Sequence, residues 1–298
     1  MRYILWIFII VICPQIVLSQ KKVRLPQELN EISGLEQYND SILIAVNDSG
    51  NSNELFFIDL NGKILKKCRV SNASNTDWED LAMDDHGNLY IGDVGNNFNS
   101  RRDLGVWKLK VEDAFKNDSV QAERISFSYV DQTEFPSHES NFRFDCEAIY
   151  WLNDSLHFIT KNRSKRPKGN SRGSKTIYWD RFPVDYVIPD ISGNYSAQRS
   201  LQHIPYLHEV KSSGIRDLVT AVDVYNGMIA TLTYSELRIL RLNNSGNSLS
   251  IAEGWQTIHF MKLEQREGMV ILSDGRIAVA SEKHPLLGGP FLAIFTFE

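Results

Sequence analysis

Helical periodicity is almost absent from this sequence, so a bundle or any helix-rich fold is a poor starting point. Cysteine is scarce: Cys13, Cys68 and Cys146 cannot make a disulfide-rich scaffold, and no cysteine or histidine cluster suggests zinc. Basic residues are not in excess. The formal charge is −5, which argues against nucleic acid as a partner. The familiar nucleotide, metalloprotease and nucleophile-elbow motifs are missing too, so no ready-made catalytic label applies. The seven histidines are scattered, with His138, His203, His208 and His284 in loop-like surroundings.

The start of the chain differs from the rest. Arg2 precedes an apolar run from Tyr3 to Ile12, followed by Cys13-Pro14 and a small residue at Ser19. That order reads as a secretory signal peptide over 1–19, leaving 20–298 as one domain, with an uncleaved anchor as the alternative. Pro14 interrupts the run, and a membrane helix needs about 20 apolar residues, so no stable span is expected after cleavage. The expected location is secreted, periplasmic or otherwise extracytoplasmic. Export would permit a disulfide between Cys68 and Cys146, but nothing in the sequence brings them together.

The remaining chain reads as short strands rich in Val, Ile, Phe, Tyr and Trp. They are cut by turns such as Asn61-Gly62, Asp85 to Asn88, Asn226-Gly227 and Asp274-Gly275. Only Val111 to Lys116 suggests a helical turn. A repeat emerges when the segments are aligned. Ser33, Glu79, Glu147, Thr220 and Glu267 each open a strand, and each is followed 14 or 15 residues later by Asp48, Asp93, Lys161, Tyr234 or Glu282 at the end of the next strand. Third strands are expected at Glu54–Asp59, Gly105–Leu109, Thr176–Trp179, Leu237–Leu242 and Phe291–Phe297. Fourth strands are expected near Ile64–Val70, Arg124–Val130, Gln198–Ile204 and Trp255–Met261. The fifth unit runs out of chain, and a strand at Lys22–Pro26 can complete it. The reading is all-β: a five-bladed β-propeller, four strands per blade, closed by its N-terminal strand. A β-sandwich shares the short strands but gives no reason for the fixed spacing. A sixth blade would fit in the long stretches Asp131–Asp145 and Asp180–Asp217.

First strands line the channel of a propeller, so Ser33, Glu79, Glu147, Thr220 and Glu267 should converge at one end. All five carry oxygen and three are carboxylates, a set suited to a hard cation such as calcium. The alternative is that these side chains are solvated or bond to backbone groups of the next blade. The pattern resembles calcium-dependent apyrases, secreted five-bladed propellers with one central calcium ligand per blade in the order Ser, Glu, Glu, Ser, Glu. Thr220 departs from that order. A second resemblance rests on Asp77-Trp78-Glu79-Asp80-Leu81-Ala82, Tyr90 to Asn97, Asp145-Cys146-Glu147-Ala148-Ile149 and Gln265-Arg266-Glu267-Gly268. These segments look like those of secreted bacterial propellers grouped as phytase-like or esterase-like.

Strand alternation places Asp48, Asp93, Lys161, Tyr234 and Glu282 around the same mouth. The loop from Gly95 to Arg102 and the basic stretch Arg163–Lys175 would cover it, favouring a small anionic ligand. The expectation is therefore an exported calcium-binding propeller in a binding or scaffold role, with room for a protein partner. The alternative is a calcium-dependent phosphohydrolase or esterase-like hydrolase. There Asp93 or Glu282 would be the base, Lys161, Arg101 and Arg102 would hold the anion, and Asn97, Tyr234 and Asp48 would line the ligand site.

Overall fold

The computed structural model describes residues 19–164, 183–200, 218–245, 248–251 and 256–296. The expected signal segment and most of the basic stretch after Ser164 lie outside them. The described strands are β1 (Ser19–Arg24), β2 (Ile32–Asn39), β3 (Ile42–Asn47), β4 (Glu54–Asp59), β5 (Ile64–Val70), β6 (Trp78–Met83), β7 (Asn88–Asp93), β8 (Gly105–Lys110), β9 (Ser119–Val120) and β10 (Glu123–Tyr129). They continue with β11 (Asp145–Trp151), β12 (Ser155–Lys161), β13 (Val184–Pro189), β14 (Gly193–Arg199), β15 (Val219–Tyr225) and β16 (Met228–Thr233). The last are β17 (Glu236–Ser245), β18 (Ser248–Ile251), β19 (Gln256–His259), β20 (Arg266–Ile271), β21 (Ile277–Ser281) and β22 (Phe291–Thr296). The α-helix Val111–Lys116 falls where one helical turn is expected. No helix among the described residues is long and apolar enough to cross a membrane.

The strands form antiparallel up-and-down meanders. Their first strands pack side by side in a closed cycle, β2 against β6, β6 against β11, β11 against β15, β15 against β20, and β20 back against β2. Sheets radiating from such a cycle make a β-propeller. The packing is tight at the axis: a Cβ on Gly34 would lie 2.8 Å from the Asp80 Cα, and one on Gly268 3.0 Å from the Ser33 carbonyl oxygen. Apolar layers such as Ile44, Phe57, Trp78, Leu81 and Ile91 fill the space between sheets. The hairpin turns behave as their residues require, with Asn226 at φ 46° and Gly227 at φ 72°.

Outer edges are covered in several ways. β1 runs antiparallel beside β22, from Ser19↔Thr296 to Arg24↔Phe291, slightly earlier than the Lys22–Pro26 expected. β5 pairs in parallel with the short β9. β10 pairs in parallel with β14, joining two meanders into one eight-stranded sheet. Each pairing satisfies backbone groups that an open edge would expose.

The third meander departs from expectation. Its third strand is β13, Val184–Pro189, and its fourth is β14, Gly193–Arg199. The expected strand at Thr176–Trp179 lies outside the described residues. The described part of Asp180–Asp217 thus belongs to this meander, because β13 pairs along the length of β12. Asp131–Asp145 holds a 3-10 turn at Glu139–Asn141 and no strand before Asp145.

Candidate functional site

In all five inner hairpins the pairing slips by one residue near the start. The slips fall between Ile32 and Gly34, Trp78 and Asp80, Cys146 and Ala148, Val219 and Ala221, and Arg266 and Gly268. The residues skipped are Ser33, Glu79, Glu147, Thr220 and Glu267. A β-bulge leaves its extra residue unpaired and re-aims the side chain. The repeated oxygen-bearing position is therefore the bulge position.

The bulge residues have different partners. Ser33 Oγ donates to the Trp78 carbonyl of the next sheet at 2.8 Å. Glu147 Oε2 lies 2.6 Å from Lys161 Nζ, both side chains nearly enclosed. Glu267 Oε1 accepts from the Tyr234 hydroxyl at 2.7 Å, and the Lys161 ammonium lies 5.8 Å from the Tyr234 ring centre. Glu79 gathers with Asp48 and Asp77, one carboxylate oxygen of each within 4.8 Å of the others. Thr220 Oγ1 is buried and has no hydrogen-bond partner.

The electrostatics follow from this crowding. Burial, then the charges of Glu147, Asp48, Asp145 and Asp77, push the Glu79 carboxyl well above its ordinary range. Burial and the neighbouring Asp48 push Asp77 up to about 7. Burial and the charges of Glu267, Glu31 and Asp48 push Glu282 up to about 8. Burial works against the Lys161 charge, but Glu147, Tyr234, Glu267 and Asp145 outweigh it and hold the ammonium charged.

The other rim cations are engaged. Arg101 and Arg124 both grip the buried Asp93, at 2.9 and 3.1 Å, and Arg101 also reaches Asp103 at 3.1 Å. Arg163 pairs with Asp145 and donates to Asn97 Oδ1 at 3.0 Å. Asn97 itself is exposed on the rim. Arg102 lies over Phe135, 3.8 Å from the ring centre, and lines a separate groove. Of the acids at this mouth, Glu147, Glu267 and Glu282 feel the Lys161 ammonium, and Asp77 feels the Arg101 guanidinium.

The residues fit a hard cation. The six acids Asp48, Asp77, Glu79, Glu147, Glu267 and Glu282 outnumber these two cations, and Thr220 is a bulge residue whose hydroxyl has no partner. Gly95 opens the space: a Cβ there would lie 2.2 Å from Glu79 Oε1 and 2.4 Å from Asp77 Oδ2.

The opposite mouth is also acidic. Asp80 accepts from the backbone N–H of Leu81 at 2.8 Å and of Ile149 at 3.0 Å. Asp223 accepts from Val224 at 2.7 Å and Ile271 at 2.6 Å. Burial raises both carboxyls and that of nearby Glu36, Asp223 to about 6. No Lys or Arg pairs with these three among the described residues. A cavity of about 780 Å³ opens there, lined by Glu36, Tyr38, Trp151, Asp223 and Tyr225.

Asp77 and Asp145 were not singled out as site residues from the sequence. Their signal was an acid two residues before the bulge, in Asp77-Trp78-Glu79 and Asp145-Cys146-Glu147. Cys68 and Cys146 are both buried free thiols.

No protein-family model and no curated protein sequence matches the chain. Among solved structures it is similar to the PQQ-bound form of aldose sugar dehydrogenase from Streptomyces coelicolor. The TM-score is 0.49 at 12% identity, over 94% of this chain and 99% of that one. It is also similar to glutaminyl cyclase from Myxococcus xanthus, with TM-score 0.44 at 12% identity over 95% and 97% of the two chains. A third is virginiamycin B lyase from Staphylococcus aureus, with TM-score 0.42 at 13% identity over 94% and 99%. None of the three is named as a phytase or an apyrase, and no chemistry passes from them to this chain.

Proposed function

We propose that this chain is a five-bladed propeller that binds one calcium ion at its carboxylate-rich mouth and serves as a binding or scaffold protein outside the cytoplasm. The observation that carries the reading is the set of five bulges, which turns one oxygen-bearing residue per inner strand toward the same end of the channel. Glu79, with Asp48 and Asp77 beside it, would hold the ion, and Glu147, Glu267, Thr220 and Ser33 would complete its surroundings. Calcium suits this set because it accepts six to eight oxygens in flexible geometry, water included. Bound there, it would offset the repulsion between carboxylates of adjacent blades and tie those blades together.

The hydrolase alternative requires a cation beside the metal that is free to hold an anion. Lys161, Arg101 and Arg163 are each engaged with carboxylates, and Arg102 lines a different groove. That favours binding over turnover. Glu282, with its raised carboxyl, remains the candidate base if a substrate displaces one of these pairs.

Calorimetric titration of chelator-treated protein with calcium should give one site. Glu79→Gln should weaken it at least about tenfold. Absence of heat, together with a melting temperature indifferent to calcium, overturns the proposal.

A further inference from the structure

The parallel joint between β10 and β14 builds a groove outside the channel. The joint sets Ser126 opposite Asn194 and Phe127 opposite Tyr195. The cavity has about 500 Å³, within the usual roughly 300–1,000 Å³ of small-ligand clefts. Its lining includes Thr76, Arg102, Ser126, Ser128, Asn194 and Tyr195. A neighbouring space of about 260 Å³ shares Arg102 and Ser128 with it and is bounded by Phe135.

The charges around this groove do not cancel. Arg124 lies over Trp107, 4.5 Å from the ring centre, and is taken up by Asp93 and by the Asp103 carbonyl oxygen at 2.7 Å. Gly105 permits that position, since a Cβ there would lie 2.8 Å from Arg124 Nε. Arg101 takes the other Asp93 oxygen and the Asp103 carboxylate. Three guanidiniums therefore face two carboxylates, and the surplus charge sits on Arg102. Arg102 meets no carboxylate among the described residues. Its guanidinium carbon lies 3.8 Å from the Phe135 ring centre, and the exposed side chain lines both spaces.

A planar fork of donors is matched to an oxyanion, carboxylate or phosphate. The hydroxyls of Thr76, Ser126 and Ser128 and the amide of Asn194 are matched to a hydroxylated skeleton. We propose that this groove binds a small hydroxylated oxyanion, of the sugar-acid or sugar-phosphate class, with Arg102 as its charge anchor. The site is independent of the calcium reading, since none of the proposed calcium ligands lines it.

The test is calorimetric or NMR titration of the whole chain with glucuronate, glucose 6-phosphate and glucose at fixed ionic strength. At least one anion should bind, and glucose should bind at least about tenfold more weakly. Which anion wins tells carboxylate from phosphate, and either supports the site. Arg102→Ala should lower affinity about ten- to a hundredfold, with an unchanged circular dichroism spectrum. Arg102→Lys should recover only part of it, and Phe135→Leu should weaken binding several-fold by freeing the guanidinium. Chelator and Glu79→Gln should change nothing. The proposal is overturned if neither anion binds up to about 10 mM, if glucose binds as well as both anions, or if Arg102→Ala binds like the wild type.

Discussion

At one mouth of the channel Glu147 meets the Lys161 ammonium at 2.6 Å, while at the other Asp80 and Asp223 meet backbone N–H groups. Both mouths bury several acids on adjacent inner strands, but they restrain them differently. Near Lys161 the bulge carboxylates meet side chains, Glu147 the lysine and Glu267 the Tyr234 hydroxyl, while the Thr220 hydroxyl stays unpartnered. Around Asp80 and Asp223 the carboxylates act as straps. Asp80 reaches from β6 to Ile149 on β11, and Asp223 from β15 to Ile271 on β20. The difference separates a site that can take a cation from a set of joints that holds sheets together. Burial alone, shared by both, does not separate them.

The sharpest way to break this comparison is to remove the internal cation. Lys161→Met leaves Glu147 and Glu267 buried without a counter-charge and should cost about 3–5 kcal/mol in chelator. Calcium should restore much of that loss if the mouth is a cation site. Urea unfolding with and without calcium measures both quantities. A loss that calcium leaves untouched would make the Lys161 end a strapped joint like the other.

The second effect concerns the strapped end and pH. The Asp223 carboxyl is raised in the folded state from 3.8 to about 6, with burial as the main cause. The fold therefore prefers its protonated form. The stabilisation is fully present below about 3.8 and is lost as pH rises through about 6. Asp223→Asn should flatten this part of the stability curve between pH 4 and 7, by roughly 1–2 kcal/mol relative to wild type. Calcium affinity should not change. Thermal unfolding across that pH range, with a calcium titration at pH 7, checks both statements.

The smallest expected effect is at Thr220. Thr220→Val removes a hydroxyl that has no partner, so stability in chelator should shift by less than about 1 kcal/mol. Calcium binding should weaken a few-fold, because an oxygen is lost from the mouth. Equal calcium affinity in the two proteins would remove Thr220 from the ion's surroundings.

Only the Lys161 side of this contrast was legible in the sequence. The 14–15-residue spacing located the inner hairpins, and the repeated oxygen-bearing position proved to be the bulge in all five. What the spacing does not carry is which charges meet. Arg124 reaches Asp93 from an outer strand, and Arg163 reaches Asp145 from the end of β12. Those pairings depend on how adjacent strands and loops fold back, which the repeat does not encode. The same holds for Arg102, expected at the rim and placed instead over Phe135, a residue of the β10–β11 connection. The far-mouth acids escaped notice because Glu36 and Asp223 lie three residues after the bulge residue and Asp80 one after it, and the other units carry no acid at either place.

The pairing of β1 with β22 bears on how the molecule comes to exist. Ser19 lies opposite Thr296, so the final sheet joins residues almost as far apart in the chain as the described residues allow. The five inner hairpins, by contrast, can each form from neighbouring residues soon after they are made. This joint must wait until β22 has been made, and until then β1 has no partner strand. A nascent or exported chain thus spends its early life as an open arc, exposed at its two ends to other copies of itself. Closure is then the event that turns a row of sheets into a single object.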